Sequence, residues 1–253
     1  MISSLFHTFL YTPIYNLLIF FVDVVPGGDV GIAVIIVTIV VKLVISPFSI
    51  SAAKTQRRMK FVEPQLKDIK QKHKDNREKL ALETLALYKN NGIRPFASIF
   101  VTFLQLPVII ALYLVFRHEH LLAPNPDLIY HFVSFPAQIS PLFLGLFPTT
   151  GHVLILALVA ALVQFAAAYL TIPVPPKDPK AKPGGADEFA RAISLQTRFV
   201  LPIIIGVIGY TAGALALYFI TSSLFSILQE WYVRHITKYL TLPTNASPKT
   251  KTA

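Results

Sequence analysis

Apolar runs of membrane length constrain the fold of this chain more than any other feature. The sequence is 54% hydrophobic and 14% charged, whereas soluble domains carry about 25% charged residues. About 20 consecutive apolar residues suffice for a helix to cross the hydrocarbon core of a bilayer. We therefore predict an all-α integral membrane protein with transmembrane helices at residues 30–51, 96–116, 151–172, 198–212 and 213–233.

The charge distribution decides how the last apolar run, residues 199–228, is divided. This run is long for one span and short for two. Because lysine and arginine concentrate in cytoplasmic segments, the loop 117–150, whose single basic residue is Arg117, is predicted to lie outside. The segments predicted to be cytoplasmic are 52–95, 173–197 and 234–253. A cytoplasmic C-terminus requires two spans in the last run, with a turn near Gly213, and places the N-terminus outside.

Three elements are predicted beside the spans. Residues 1–25 place apolar and polar side chains on opposite faces, which predicts an amphipathic helix in the outer membrane interface. Its polar face consists of His7, Thr8, Tyr11, Thr12, Tyr15 and Asn16. Residues 52–95 carry two helical seams on either side of Asp75-Asn76, which predicts a basic antiparallel hairpin. Residues 173–197, rich in proline and glycine at their start, are predicted to form a flexible linker.

Lys42 is a charged residue inside the otherwise apolar run 30–45. An ammonium group within a transmembrane helix costs about 2.5–3.5 kcal/mol on insertion scales, so its presence indicates a function. Lys42 either reaches the headgroups near Ser46 or faces a polar cavity in the bundle, and the pattern alone favours neither. Side chains that could line such a cavity, or form interhelical hydrogen bonds instead, are Gln105, Gln164, Thr221, Ser222 and Ser223.

The sequence lacks the motifs of common enzyme classes. HExxH, GxSxG and P-loop patterns are missing, and the chain has no cysteine. His118 and His120 flank Glu119, but two histidines at a helix end are far more typical of solvated surface than of a metal site. We therefore predict no catalytic residue, no metal and no cofactor.

The basic residues of the hairpin and tail have two interpretations. Such clusters beside a membrane most often set topology and bind anionic lipid. They also suit polyanionic RNA, for instance in a ribosome docked at the membrane, although the sequence has no RNA-reading motif and DNA binding is not predicted. The candidate contact residues are Arg57, Arg58, Lys60, Lys67, Lys238, Lys249 and Lys251.

Several motifs follow one another in a recognisable order. They are TIVVKLVISP at 38–47, KTQRRMKFVEPQL at 54–66, ALYK at 86–89, QLPVIIALY at 105–113 and ALYFITS at 216–222. Together they resemble the YidC-type membrane protein insertase family, in its bacterial form with a five-span core. The motifs extend from the first span to the last, so the resemblance covers most of the chain. It implies a multi-pass protein of the bacterial plasma membrane.

The resemblance also implies a mechanism and partners. The family works through a groove in the bilayer that is open to the cytoplasm and to lipid and closed toward the outside. Lys42 stands where most members have arginine, Gln164 matches a polar groove position, and Phe219 stands where many members have tryptophan. The hairpin would guide nascent membrane proteins, the basic tail would help dock the ribosome, and the chain would act alone or with the Sec translocon.

Two other functions compete with insertion. A small-molecule transporter or ion channel would use Lys42 as an anion or proton site, but the sequence shows no internal repeat of the kind that many transporters contain. A membrane scaffold would use only its basic surfaces to bind partners. A scaffold should tolerate loss of the Lys42 charge, whereas an insertase should lose at least its charged substrates.

Overall fold

The computed structural model describes residues 2–74, 76–94, 97–118, 125–172, 174 and 186–237. Its helices are α1 (Ile2–Phe6), α2 (Thr12–Val24), α3 (Val30–Lys72), α4 (Arg77–Asn90), α5 (Ala97–His118), α6 (Leu154–Thr171), α7 (Ala186–Thr211) and α8 (Gly213–Thr237). A π-helical turn, His7–Tyr11, joins α1 to α2, and 3-10 turns lie at Pro26–Gly28 and Pro126–Leu128. Strands β1 (Leu142–Phe143) and β2 (Phe147–Pro148) form a short antiparallel ribbon.

The predicted class, an all-α integral membrane protein, is confirmed. Within the described residues, five helical segments are long and apolar enough to cross a membrane: Ser4–Val24, Val30–Lys72, Leu154–Thr171, Arg191–Thr211 and Gly213–Thr237. Ser4–Val24 is in this set although we predicted an interfacial helix there. The predicted second span, residues 96–116, corresponds to helix α5, which contains the apolar stretch Gln105–Phe116.

The chain forms two compact units. The bundle unit comprises Met1–Ser46 and Thr102–Leu228, and the hairpin unit comprises Pro47–Val101 and Gln229–Ala253. Helix α3 contributes residues to both units, with Val30–Ser46 in the bundle unit and the rest of the helix in the hairpin unit.

The polar face of α2 packs against protein. Tyr15 and Asn16 are 0% and 3% exposed. The Asn16 side chain donates to the carbonyl of Leu128 at 2.7 Å and accepts from the backbone N–H of Tyr130 at 2.7 Å. The Tyr15 hydroxyl accepts from the backbone N–H of Asn125 at 2.8 Å. These polar groups therefore form hydrogen bonds with the backbone of the loop 125–130. The amphipathic pattern had predicted instead that they face water or lipid headgroups.

Asp29 fixes the start of α3 to the loop that precedes α6. One carboxylate oxygen accepts from the backbone N–H of Ile32 at 3.0 Å, which caps the helix. The other accepts at 2.7 Å from the backbone N–H of Leu144, which has a left-handed φ of 51° between β1 and β2. The same loop also accepts a hydrogen bond from α8, because the carbonyl of Thr149 lies 2.8 Å from the backbone N–H of Ala214. Helices α3 and α8 therefore begin at the same end of the bundle unit.

Helices α6 and α7 pack closely through small residues. A β-carbon built on Gly206 would lie 3.1 Å from that of Ala161, and one built on Gly209 would lie 3.8 Å from Cα of Ala157. Small residues let transmembrane helices approach closely, where packing replaces the hydrophobic effect as the source of stability. At the far end of the pair, Arg198 of α7 donates to the carbonyl of Ile172 at 2.5 Å and so caps the C-terminus of α6.

In the hairpin unit, α4 runs antiparallel to the last part of α3. Near the open end of this pair, the Arg58 guanidinium donates to the carbonyl of Gly92 at 3.1 Å. Near the turn, His73 Nε2 lies 2.9 Å from Glu83 Oε1. Val62 is buried on the inner face of the unit, as is Ile93 just after α4. Polar contacts therefore join α3 to α4 and the residues just after it, and buried apolar residues lie in both segments.

Candidate functional site

Lys42 lies on the face of α3 that is turned toward the interior of the bundle unit. Thr38, one turn earlier, is 1% exposed and Ile45, about one turn later, is buried, whereas Val44 on the opposite face is 70% exposed. Lys42 itself is half-buried. It stands about 18 Å along the helix from Val30, past the middle of a hydrocarbon core about 30 Å thick.

Among the residues that the structure describes, Lys42 has no fixed counter-ion. With the residues that the structure describes, it forms neither a hydrogen bond nor an ion pair. Charged groups within a membrane usually pair with one another or face a water-filled cavity. Among the described residues, Lys42 has no partner of the first kind.

Gln105 connects α5 to α8. Its amide group donates a hydrogen bond to the hydroxyl of Tyr218, which is 1% exposed. A buried tyrosine hydroxyl usually needs such a partner, because leaving it unpaired in an apolar interior is costly. We predicted Gln105 as a groove residue but did not identify Tyr218. The sequence signal for Tyr218 is that it lies four residues before Ser222, which places both side chains on one face of α8.

Gln164 connects α6 to α8 in the same way. The Ser223 hydroxyl donates to Gln164 Oε1 at 2.6 Å, and Ser223 is 3% exposed. Gln164 lies about 15 Å along α6 from Leu154, and Ser223 lies about 15 Å along α8 from Gly213. Both side chains therefore stand near mid-depth, close to the level of Lys42.

The remaining predicted groove residues all belong to α8. Phe219 is buried in the apolar core, with its ring centroid 5.2 Å from that of Tyr218. Thr221 is also buried and Ser222 is half-buried. The structure thus joins Gln105 to Tyr218 and Gln164 to Ser223, and it places Phe219 as a packing residue. Both glutamines form interhelical hydrogen bonds, which is one of the two roles expected for polar residues in these spans.

The predicted contact residues of the hairpin unit differ in how they are held. Arg57 donates to Glu230 at 2.9 Å and to Thr237 at 2.8 Å, and Arg58 binds the Gly92 carbonyl. Lys60 is exposed, and Lys67 lies 3.2 Å from Glu63 on the helix surface. Lys238, Lys249 and Lys251 lie outside the described residues. Both arginines therefore have partners inside the unit, and the lysines form its accessible cationic surface.

A cavity of about 240 Å³ lies in the bundle unit where α7 turns into α8. Its lining residues are Tyr113, Phe116, Thr149, Thr150, Gly151, Thr211, Ala212 and Leu215. This cavity is at the end of the unit where α8 begins, and Lys42 does not line it. Among the described residues, histidine, aspartate and glutamate nowhere gather in a group of three that could hold a metal ion.

These features define an all-α, multi-pass membrane protein whose bundle carries a cation and two interhelical hydrogen bonds within the apolar layer. The family model described as 60Kd inner membrane protein matches residues 20–240. The chain belongs to this family, and the resemblance found in the motifs is confirmed.

Proteins named membrane protein insertase YidC are similar to most of the chain. One from Chloroherpeton thalassium is 26% identical over 237 residues, which cover 92% of this chain and 37% of that protein. One from Ectopseudomonas mendocina is 29% identical over 242 residues, or 94% of this chain and 36% of that protein. One from Fusobacterium nucleatum is 28% identical over 208 residues, which cover 81% of this chain and 86% of that protein. The chain thus spans little more than a third of the longer relatives and most of the shorter one.

Proposed function

We propose that this chain is a membrane protein insertase, which assists the insertion and folding of newly made membrane proteins without covalent catalysis. The observation that supports this most directly is the half-buried Lys42 without a partner among the described residues. A cation that served only stability would be expected to have a carboxylate beside it, because an unpaired charge in the apolar layer is costly. A cation that binds passing substrates must instead keep its charge available.

The proposed mechanism uses this charge transiently. Lys42 attracts acidic residues in the hydrophilic terminus of an incoming segment. At an effective dielectric constant near 20, a carboxylate about 4 Å from the ammonium group gains roughly 4 kcal/mol before desolvation costs. That attraction lowers the barrier but still permits release. The apolar helix of the substrate then leaves past α3, α6 and α8 into lipid, where burial of its apolar surface drives the process.

The proposed groove is lined by Lys42 together with Gln105, Gln164, Phe219, Thr221 and Ser222. It opens to the cytoplasm and to lipid and is closed toward the outside. The polar contacts of Asn16 and Asp29 support closure at the end where α3 and α8 begin, because they hold loops of residues 125–150 against the helices there.

The proposed orientation follows the charge distribution. The N-terminus lies outside and the hairpin unit in the cytoplasm of a bacterial cell, where basic segments are retained. Lys60 and Lys67, two of the exposed lysines of the hairpin unit, and the basic C-terminal residues would meet nascent chains, anionic lipid and the ribosome. Cooperation with the Sec translocon belongs to the same proposal.

The test is insertion into liposomes that contain only the purified full-length chain. The substrate is a newly made single-span protein with an acidic N-terminal tail, and protease protection of the tail measures its transfer. Lys42→Ala should reduce the insertion rate at least about tenfold, since each factor of ten corresponds to about 1.4 kcal/mol of lost attraction. Lys79→Ala is the matched control, because Lys79 is an exposed lysine of α4 and its removal changes net charge equally.

The outcomes separate the candidate functions. Insertion by the wild-type chain that is lost in Lys42→Ala and kept in Lys79→Ala supports an insertase that uses the Lys42 charge. Insertion that is unchanged in Lys42→Ala would remove Lys42 from the mechanism. No insertion above that of empty liposomes would contradict autonomous insertion and leave a translocon-dependent helper, a transporter or a scaffold.

A further inference from the structure

The hydrogen bond between Gln164 and Ser223 lies at a particular place in the bundle unit. Gln164 is half-buried on α6, between Leu162 and Phe165, which are both exposed on the outer surface of the helix. Ser223 is almost completely buried on α8. The bond therefore starts inside the bundle and ends at its lipid-facing margin. It crosses the gap between two of the three helices that border the proposed exit path.

Helices α6 and α8, on the two sides of this gap, are each fixed to another helix by a different kind of contact. Helix α6 is fixed to α7 by close packing of small residues and by the Arg198 cap. Helix α8 is fixed to α5 by the buried hydrogen bond between Gln105 and Tyr218. The bond between Ser223 and Gln164 joins these two pairs near mid-depth. A single hydrogen bond is easier to exchange than a packed interface, because another polar group can replace either partner.

We propose that the hydrogen bond from Ser223 to Gln164 is a latch across the exit between α6 and α8, which an inserting segment opens by offering its own polar groups. This inference rests on the proposed insertase function and adds a selective step to it. Within the apolar layer neither side chain has lipid groups to bind, so separating them leaves an unsatisfied donor and acceptor. A hydrophilic tail and the water that accompanies it can satisfy both, whereas an apolar segment cannot.

The latch explains how a polar tail could pass before the apolar helix departs. The tail, attracted by Lys42, reaches mid-depth and exchanges hydrogen bonds with Gln164 and Ser223. The helices α6 and α8 can then separate, and the apolar part of the substrate enters lipid between them. Once the tail has crossed, the two side chains pair again and close the path. The favoured substrates are therefore segments with a short polar terminus next to the apolar helix.

The absence of cysteine from the sequence makes a direct test possible. In a Gln164→Cys/Ser223→Cys double variant, a short thiol-reactive crosslinker with a reducible bond joins α6 to α8 across the latch. The full-length variant is placed in liposomes and assayed with the acidic-tailed substrate. We expect insertion to fall to the level of empty liposomes after crosslinking and to return when the crosslink is reduced. The reduced double variant serves as its own reference.

The matched control joins α6 to α7 instead. In Ala161→Cys/Gly206→Cys the two β-carbons would be 3.1 Å apart if the helices did not move. That is closer than the roughly 3.5–4.5 Å of a disulfide, so a small separation of the helices brings the pair into crosslinking range. This crosslink should leave insertion unchanged, because α6 and α7 already pack closely and the pair does not border the exit. Loss of insertion in the control as well would show that any immobilisation is harmful and would contradict a specific latch.

The single variant Ser223→Ala gives a second readout with a predicted sign. Removing the hydroxyl opens the latch, so insertion should become about threefold faster, the factor that matches an average hydrogen bond between transmembrane helices. Unchanged or slower insertion in Ser223→Ala, or full insertion by the crosslinked double variant, would overturn the latch. Neither of these two results would contradict the proposed function, which fails only if the wild-type chain does not insert the substrate.

Discussion

The Arg57 guanidinium of α3 lies 2.9 Å from Glu230 Oε1 of α8, although 173 residues separate them in the sequence. Arg234 reaches the same oxygen at 3.0 Å, and Thr237 accepts a hydrogen bond from Arg57 at 2.8 Å. The side chain of Glu230 is only 14% exposed. A carboxylate that is shared by two arginines and largely removed from water organises this part of the hairpin unit. Arg57 is therefore a structural residue of this unit.

Glu230→Gln should destabilise the chain. The amide keeps the shape of the side chain but removes the charge that the two guanidinium groups share, and charge-assisted hydrogen bonds are worth about 1.5–3 kcal/mol each. Because the pair is partly exposed, we expect the free energy of unfolding to fall by about 1–2 kcal/mol. Thermal unfolding in detergent, with limited proteolysis of the hairpin unit, measures the effect.

The control for this prediction is Glu63→Gln. It breaks the exposed pair of Glu63 with Lys67, whose side chains are 41% and 53% exposed. Surface pairs of this kind contribute at most about 0.5 kcal/mol. An equal loss of stability in both variants would show that Glu230 has no special role.

Asn16→Asp should destabilise the bundle unit more than Asn16→Ala does. The amide nitrogen of Asn16 donates to the carbonyls of Thr12 and Leu128, at 2.8 and 2.7 Å. A carboxylate would face both carbonyl oxygens without a proton to share, whereas alanine leaves the groups unpaired but adds no repulsion. We expect a loss of about 1–3 kcal/mol for alanine, the cost of unsatisfied buried groups, and a larger loss for aspartate.

Proteolysis within the loop 125–130, together with thermal unfolding, measures the Asn16 variants. Thr8→Ala is a control on the same helical region, because Thr8 is exposed. If the Asn16→Asp variant proves as stable as the wild-type chain, the Asn16 amide is not the donor that holds this loop.

The sequence contains enough information to predict the class of fold and the position of the central charge. Continuous runs of about 20 apolar residues predict membrane helices, because a helix satisfies its backbone hydrogen bonds within one segment in lipid. Lys42 stands out since a charge in such a run is rare. Which side chains pair between two helices cannot be predicted in the same way, because the pairing depends on how each helix is rotated about its axis when the helices pack. The pairing of Gln105 with Tyr218, and of Arg57 with Glu230, could not be predicted from spacing along the chain.

The polar face of α2 shows the same limit. Tyr15 and Asn16 lie on the helical face opposite the apolar residues, a pattern that predicts an interfacial helix. The helix is instead packed against a loop whose free backbone groups need partners. Hydropathy patterns report that a face is polar but not whether water or protein satisfies it. For that reason the environment of a polar face has to be read from the structure.

Ser46→Ala should destabilise α3 in the wild-type chain but not in a Pro47→Ala background. Proline has no N–H, so Pro47 leaves the carbonyl of Leu43 without its helical partner, and the Ser46 hydroxyl donates to that carbonyl at 2.8 Å. In Pro47→Ala the backbone N–H of residue 47 takes over this role. The cost of Ser46→Ala, about 0.6 kcal/mol for an average hydrogen bond in a membrane protein, should then disappear.

A double-mutant cycle measured by thermal unfolding tests this coupling. Additive effects of the two substitutions would mean that the serine hydroxyl does not compensate for the proline. A coupling of the expected sign would explain how α3 continues through Pro47 without ending there.

Lys42→Arg should insert an acidic-tailed substrate at nearly the wild-type rate, in contrast to Lys42→Ala. Arginine differs from lysine mainly in its planar fork, which matters where a fixed carboxylate is bound through two hydrogen bonds. Since Lys42 has no such partner among the described residues, charge at mid-depth is what a passing carboxylate would meet. The liposome assay with protease protection measures both variants. A rate for Lys42→Arg as low as that of Lys42→Ala would show that the size or geometry of the cation decides, and the groove would then have to fit the lysine side chain closely.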